Sequence, residues 1–181
     1  MYRIAISLVL ATVALAVAAR AQATDPQNTL VIEVKTGRVL IRLRPDLAPR
    51  HVERAKVLAR QGFYNGLKFH RVIPGFMAQG GDPKGDGSGG SSLPDLKAEF
   101  TNMPYFRGTV AAARADSPDS ANSQFFIMFD PNIGLEKKYT VWGRVTSGMD
   151  AVDKIAPGEP PVEPTKIVRA YLGDVAAPPA N

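Results

Sequence analysis

The sequence predicts a mainly β fold, built as a sandwich or a closed barrel. Between about residues 67 and 145, short apolar runs are separated by Gly, Pro and Ser. Only two segments have the longer apolar periodicity of an α-helix, and the sequence contains no internal repeat. Many short strands with few helices are typical of sandwiches and barrels.

The first elements of the domain form a predicted hairpin. Apolar residues alternate with other residues over 28–34, which predicts a half-buried strand. A turn at 36–38 leads into a second apolar strand at 39–43, and Pro45 ends the pair.

A helix is predicted over 48–61. Pro49 suits the first helical turn, and Gly62 suits the position just after the last turn. One face of this helix is apolar and is formed by Val52, Ala55, Leu58 and Ala59. Arg50, Arg54, Lys56 and Arg60 fall elsewhere, so the predicted helix is amphipathic.

The rest of the domain continues with short strands and one further helix. The remaining predicted strands are 68–72, 76–79, 109–113, 125–128, 141–145 and 165–171. A short helix is predicted over 148–155. Residues 157–164 include four prolines and predict a rigid surface loop. Trp142 lies in an apolar strand and is predicted to be a core residue.

The chain is expected to comprise a signal peptide at 1–23, one domain at 24–172 and a flexible tail at 173–181. A positive start is followed by an apolar run over 4–19 and by Ala21-Gln22-Ala23, a small-x-small cleavage pattern. The run is shorter than the about 20 residues that span a bilayer. The product is therefore expected to be soluble, without a membrane anchor, and periplasmic or secreted.

Composition excludes several classes of chemistry. The chain has no cysteine, so disulfides and thiol nucleophiles are absent. The formal net charge is +5, two units of which come from Arg3 and Arg20, and the other basic residues are scattered among acids. Nucleic-acid binding is therefore not predicted. His51 and His70 are the only histidines, which argues against a metal site.

Two further motifs do not match known sites. The stretch 80–90 holds six glycines but lacks the spacing of a phosphate-binding or a calcium loop, so it predicts a turning surface loop. Ser123 has no Gly-x-Ser-x-Gly setting, which disfavours a hydrolase.

Arg71 and Gln79 stand among apolar residues. Either they carry a function, or they face water on alternate strand positions.

Three segments in order resemble the cyclophilins, the cyclosporin-binding family of peptidyl-prolyl isomerases. The first is Phe-His-Arg-Val-Ile-Pro-Gly-Phe-Met-Ala-Gln-Gly-Gly-Asp at 69–82. The second combines Gly-Thr-Val-Ala-Ala-Ala at 108–113 with Ser-Gln-Phe-Phe-Ile at 123–127. The third is Leu-Glu-Lys-Lys-Tyr-Thr-Val-Trp-Gly-Arg-Val at 135–145, with Lys137 where a glycine is usual. The likeness extends over 29–171.

The resemblance implies an eight-stranded antiparallel β-barrel closed by two α-helices, and an exported bacterial isomerase that accelerates the folding of exported proteins. Arg71 matches the catalytic arginine, and Gln79 matches the glutamine beside it, which is expected to hold the guanidinium. The implied substrate-binding positions are His70, Phe76, Met77, Ala113, Arg114, Gln124, Phe126, Leu135 and Tyr139. No metal and no cofactor are implied.

The resemblance also bears on partners. The implied substrates are unfolded or flexible proline-containing polypeptides, and the chain is expected to be a monomer. Gly134 stands where the family has a tryptophan at the cyclosporin rim, and Tyr139 stands where it has a histidine, so cyclosporin binding is expected to be weak. The alternatives are a non-catalytic proline-segment binding module or folding chaperone, and a structural envelope protein with a vestigial groove. Arg71 and Gln79 favour the enzyme.

Overall fold

The computed structural model describes residues 25–173, which form eight strands and two α-helices. The elements are β1 (Thr29–Val34), β2 (Gly37–Leu43), α1 (Pro49–Arg60), β3 (Arg71–Ile73), β4 (Met77–Gly80), β5 (Thr109–Ala112), β6 (Phe125–Met128), β7 (Val141–Ser147), α2 (Met149–Val152) and β8 (Ile167–Leu172). The predicted signal peptide and all but the first residue of the predicted tail lie outside the described residues. Within 25–173, neither helix is long and apolar enough to cross a bilayer.

The strands form one antiparallel sheet that curls on itself. Its order is β3-β4-β6-β5-β7-β2-β1-β8. The two edges of the sheet meet just before β3 and β8, where Lys68 pairs with Lys166 and Phe69 N donates to Thr165 O at 2.9 Å. The eight-stranded antiparallel barrel is confirmed, although short bridges rather than a full ladder join its edge strands.

The third strand and the second helix differ most from their predicted bounds. The predicted strand 68–72 begins only at Arg71 because Lys68 and Phe69 pair across the seam of the barrel instead. The predicted helix 148–155 is a single turn, Met149–Val152. Ile155 N donates to Val152 O, three residues back, so the chain leaves α2 through a tightened turn.

The barrel interior is an aromatic and aliphatic core. The ring of Phe125 makes edge-to-face contacts with Tyr64, Phe69 and Trp142, at centroid distances of 5.7, 6.1 and 6.0 Å. Trp142 is buried, which confirms it as a core residue. The helix α1 packs its apolar face against β7 and β8, and α2 packs against β2.

A second apolar cluster covers the outer face of β5 and β6. All four residues of each strand are buried, although alternate side chains of a strand point to opposite faces. Phe125 and Ile127 belong to the barrel interior. The outer cluster consists of Met77, Tyr105, Ala111, Ala113, Phe126, Met128 and Val141. Its packing supplies a firm apolar floor on the outside of the barrel.

Glu99 caps α1 from a distant loop. Ala48, at the N-cap position, has no side chain that can cap, and the Glu99 carboxylate instead accepts hydrogen bonds from Arg50 N at 3.2 Å and His51 N at 3.1 Å. His51 Nδ1–H donates to the same carboxylate at 2.7 Å. Burial raises the pKa of Glu99, but the hydrogen bonds from His51 and Arg50 outweigh it, so the pKa lies below its usual range.

We expect Glu99→Ala to lower the free energy of unfolding at pH 7 by about 2 kcal/mol, because it leaves two helix N–H groups and His51 without their acceptor. Urea unfolding measures this value. The matched control is Glu53→Ala on the exposed face of α1, which should cost under about 0.5 kcal/mol.

The comparison of wild type with Glu99→Ala also tests how the stabilisation by Glu99 depends on pH. The folded-state pKa of Glu99 is depressed, so its stabilisation is complete above the ordinary value of 4.5 and is lost as the pH falls through the folded-state pKa. The difference between wild type and Glu99→Ala should therefore shrink below pH 4.5. A difference that grows on acidification would contradict the cap.

Candidate active site

A row of paired residues crosses the sheet at its outer face. The register places Arg71 on β3 opposite Gln79 on β4, Gln79 opposite Phe126 on β6, and Phe126 opposite Ala111 on β5. Paired residues of antiparallel strands project from the same face. Since Phe126 and Ala111 belong to the outer cluster, Arg71 and Gln79 stand at the edge of that cluster.

A pocket of about 120 Å³ opens above this row. Its lining residues are Arg71, Phe76, Met77, Gln79, Ala113, Arg114, Phe126, Leu135 and Tyr139. All nine are site residues that the resemblance implied, drawn from the three strands β3, β4 and β6 and from the segments between strands. The pocket combines an apolar floor with two arginines at its rim, a composition suited to a small apolar group attached to a polar chain.

Aromatic contacts hold the pocket wall in place. The Phe126 ring stacks on Tyr105 at 6.4 Å and meets Tyr139 edge to face at 5.5 Å. Tyr105 also donates its hydroxyl proton to the backbone oxygen of Tyr139 at 2.8 Å, and its burial raises the pKa of this hydroxyl. No sequence pattern marks Tyr105 as a site residue, because it lies in a loop without periodicity or motif.

The Arg114 side chain supports Tyr139, another residue that lines the pocket. Its guanidinium lies over the Tyr139 ring, 4.8 Å from the centroid. Its Nε donates to Lys138 O at 3.0 Å, and its Nη1 donates to Ala115 O at 2.8 Å and Asp116 O at 2.9 Å. The resemblance implied that this position binds the substrate. The structure adds that the side chain links two loops beside the pocket.

The polar partners of Arg71 and Gln79 differ from the expectation. Arg71 Nε donates to Glu159 Oε2 at 2.7 Å, and the two side chains are 43% and 50% exposed. Gln79 Nε2 donates to Gln124 Oε1 at 2.9 Å. The expectation that Gln79 holds the guanidinium is therefore not met in this structure. Glu159 makes that contact, and no sequence motif had marked it.

A polar groove of about 370 Å³ continues from the pocket. Gln79, Ala113 and Arg114 line both spaces. Gln124 lies in the groove rather than in the pocket, and its Nε2 donates to Gly87 O at 2.9 Å and Gly89 O at 2.8 Å. The glycine-rich loop thereby forms one side of the groove.

The glycine-rich loop is organised by one buried acid. The Asp82 carboxylate accepts hydrogen bonds from the backbone nitrogens of Lys84 at 2.8 Å, Asp86 at 3.1 Å and Gly87 at 2.6 Å. Burial raises the pKa of Asp82, and these backbone donors lower it further than burial raises it. The loop is a tightly turning one, as predicted. No cluster of three metal-binding side chains occurs anywhere in 25–173.

His70 does not line the pocket, although it precedes Arg71. Its side chain is buried, and neither ring nitrogen has a hydrogen-bond partner within the described part of the chain. A Cβ placed on Gly87 would lie 3.7 Å from His70 Nε2, so the ring sits beneath the glycine-rich loop. Burial lowers the pKa of His70, against the opposing effect of Asp82. Its implied contact with substrate stays a prediction.

Comparison with known sequences gives consistent family matches. The family model "Cyclophilin type peptidyl-prolyl cis-trans isomerase/CLD" matches residues 29–172. A probable peptidyl-prolyl cis-trans isomerase of Brucella suis is 53% identical over 168 residues, covering 84% of this chain and 86% of that protein. The human peptidyl-prolyl cis-trans isomerase-like 1 is 39% identical over 162 residues, covering 81% and 93%.

Solved structures agree with the sequence matches. A cyclophilin from Hirschia baltica superimposes with a TM-score of 0.78 at 31% identity, over 84% of this chain and 77% of that one. A cyclophilin-type isomerase from Cryptosporidium parvum, crystallised in the presence of the dipeptide Ala-Pro, superimposes with a TM-score of 0.74 at 26% identity, over 80% and 98%. With its barrel, its pocket and these matches, the chain belongs to the cyclophilin-type peptidyl-prolyl cis-trans isomerases.

Proposed function

We propose that this isomerase rotates Xaa-Pro bonds in flexible segments of exported proteins, with Arg71 as its catalytic cation. One observation carries the proposal: the half-exposed Arg71 guanidinium stands at the rim of the pocket that has Phe126 as its floor. A cation beside an apolar pocket suits a reaction in which a proline ring is held while its amide bond twists.

The chemistry needs no nucleophile. Delocalisation of the nitrogen lone pair into the carbonyl sets a barrier of about 18–20 kcal/mol to rotation of a peptide bond. In the twisted state the proline nitrogen becomes pyramidal and regains its lone pair. A fixed donor aimed at that nitrogen stabilises the twisted state and neither planar one, so it lowers the barrier rather than tightening ground-state binding.

Arg71 supplies such a donor. Its guanidinium is always protonated and presents several N–H groups in one plane. A hydrogen bond from a charged group contributes about 1.5–3 kcal/mol net, which corresponds to about 10–150-fold in rate. The remainder of the acceleration comes from the pocket. Phe126 and Met77 exclude water around the ring, and exclusion of water strengthens the effect of the arginine.

The polar groove accounts for the rest of the peptide. It shares Gln79, Ala113 and Arg114 with the pocket, so a chain whose proline occupies the pocket can continue into the groove. The relative from Cryptosporidium parvum, crystallised with Ala-Pro, supports a proline-containing ligand. We infer that the substrates are unfolded or flexible polypeptides, because only these can present an extended segment to both spaces.

We expect Arg71→Ala to lower kcat/KM for a short Ala-Pro peptide at least about tenfold, because the charged donor to the nitrogen is lost. Peptide affinity should fall less, and urea unfolding should be unchanged within about 0.5 kcal/mol. A protease-coupled isomerisation assay measures the rate.

Arg42→Ala is the matched control, since Arg42 is an exposed arginine of β2 outside the site. It should leave the rate unchanged. An Arg71→Ala enzyme with the wild-type rate would remove Arg71 from the catalytic role. A wild-type protein that binds the peptide without accelerating its isomerisation would instead favour a binding module.

Export is proposed from the first 23 residues, whose charged start, apolar run and small-x-small end suit a signal peptide. Expression of the full chain in a bacterial host should yield a periplasmic protein. Its mass, measured by mass spectrometry, should match a chain that begins at Thr24. A chain that starts with Met followed by Thr24 is the control and should stay in the cytoplasm. An intact N-terminus in the cytoplasmic fraction of the full-length protein would contradict export.

Weak cyclosporin binding is proposed from Gly134, which is exposed in the turn beside Leu135 and offers no indole to the ligand. Nanomolar cyclosporin should leave the isomerase rate unchanged. Gly134→Trp should lower the inhibition constant at least about tenfold, because buried tryptophan anchors contribute about 2 kcal/mol or more at interfaces. Nanomolar inhibition of the wild type would refute this proposal.

A further inference from the structure

The proline-rich loop is docked on the free edge of β3. This strand ends the sheet on one side, so its outer backbone groups need another partner. Val72 N donates to Gly158 O, and Gly158 N donates to Val72 O, both at 2.8 Å. The two residues form an isolated antiparallel bridge. The loop therefore extends the sheet by one residue pair next to the site.

The register of this bridge determines which loop side chain meets Arg71. In an antiparallel pair, the residue before one partner lies opposite the residue after the other, and the pair next to a hydrogen-bonded pair has its side chains closest. Glu159 is therefore opposite Arg71. Its Oε2 accepts the hydrogen bond from Arg71 Nε at 2.7 Å.

This contact leaves the rest of the guanidinium available. Glu159 occupies Nε, and neither Nη1 nor Nη2 of Arg71 has a hydrogen-bond acceptor in the part of the chain that the structure describes. Gln79, across the hairpin, is bound to Gln124 instead. Glu159 thus binds the guanidinium at Nε, beside the pocket that Arg71 lines.

The loop is built to hold Glu159 in place. Prolines at 157, 160, 161 and 164 restrict its backbone. Gly158 adopts φ 141°, and a Cβ at this position would lie only 2.6 Å from Pro161 Cα, so the tight fold of the backbone over 158–161 requires glycine there. Glu159 is therefore presented by a restrained segment rather than by a mobile one.

We propose that Glu159 is a positioning residue for Arg71, one that orders the guanidinium for donation to the twisted amide. The inference rests on the proposed catalytic role of Arg71. Ordering a long side chain costs conformational entropy, and a partner that orders it before substrate binds removes that cost from the transition state. Because arginine stays protonated, the pairing fixes its geometry without discharging it.

Stability is a poor explanation for this pair. Both partners are about half exposed, and ion pairs in such positions contribute little to folding. Removal of the carboxylate should therefore change the rate without changing the unfolding transition. That separation distinguishes a positioning residue from one that only holds the loop.

The test compares three variants in the Ala-Pro isomerisation assay. Glu159→Ala should lower kcat about three- to tenfold with KM changed less than about twofold, since the lost contact acts on the transition state. Glu159→Gln should retain at least about half the wild-type kcat, because its amide oxygen still accepts from Nε. Glu163→Ala removes an exposed acid from the same loop and should match wild type.

A double-mutant cycle completes the test. Glu159 binds Nε–H of Arg71, and a lysine at this position has no such group. In an Arg71→Lys background, Glu159→Ala should therefore have no further effect on kcat. The inference is overturned by wild-type kcat in Glu159→Ala, by an equal loss in Glu159→Gln or Glu163→Ala, or by additive losses in the cycle. If Arg71→Ala is inactive while Glu159→Ala matches wild type, only this inference fails. If Arg71→Ala keeps the wild-type rate, the proposed catalytic role of Arg71 fails together with this inference.

Discussion

Burial of both faces of β6 is the constraint on which the site depends. One face of this strand supplies Phe125 and Ile127 to the barrel interior, and the other supplies Phe126 and Met128 to the outer cluster. A strand that is packed on both sides cannot shift its register without exposing one of the two sets. The pocket floor is thereby as firmly placed as the core itself.

The loops around the pocket depend on this floor. Tyr105 stacks on Phe126 and donates a hydrogen bond to the backbone oxygen of Tyr139, while the Arg114 guanidinium lies over the Tyr139 ring. Each contact joins a loop to the packed strand or to a neighbouring loop. The irregular segments of the chain are consequently ordered where they surround the pocket, which suits a reaction that relies on positioning rather than on a reactive group.

Two arginines supply the charge at the pocket. Arg71 and Arg114 stand at its rim, and each has its Nε bonded, to Glu159 and to the Lys138 backbone respectively. Two guanidinium groups at one apolar pocket are thus held by different partners. Arg114 braces the wall, and Arg71 keeps its outer donors available. The same residue type serves two purposes because its neighbours differ.

The amino-acid sequence by itself determined the local elements and most of the site. Period-two and helical apolar patterns are local, so they predicted the strands and α1 closely. The resemblance carried by three segments of the sequence implied the nine residues that line one pocket. Only the tertiary structure decided what surrounds them. Glu159 lies 88 positions after Arg71, and Tyr105 lies in a loop without periodicity. Their contacts follow from the docking of the loop on the free edge of β3 and from packing over β6, which are long-range pairings that no local pattern encodes.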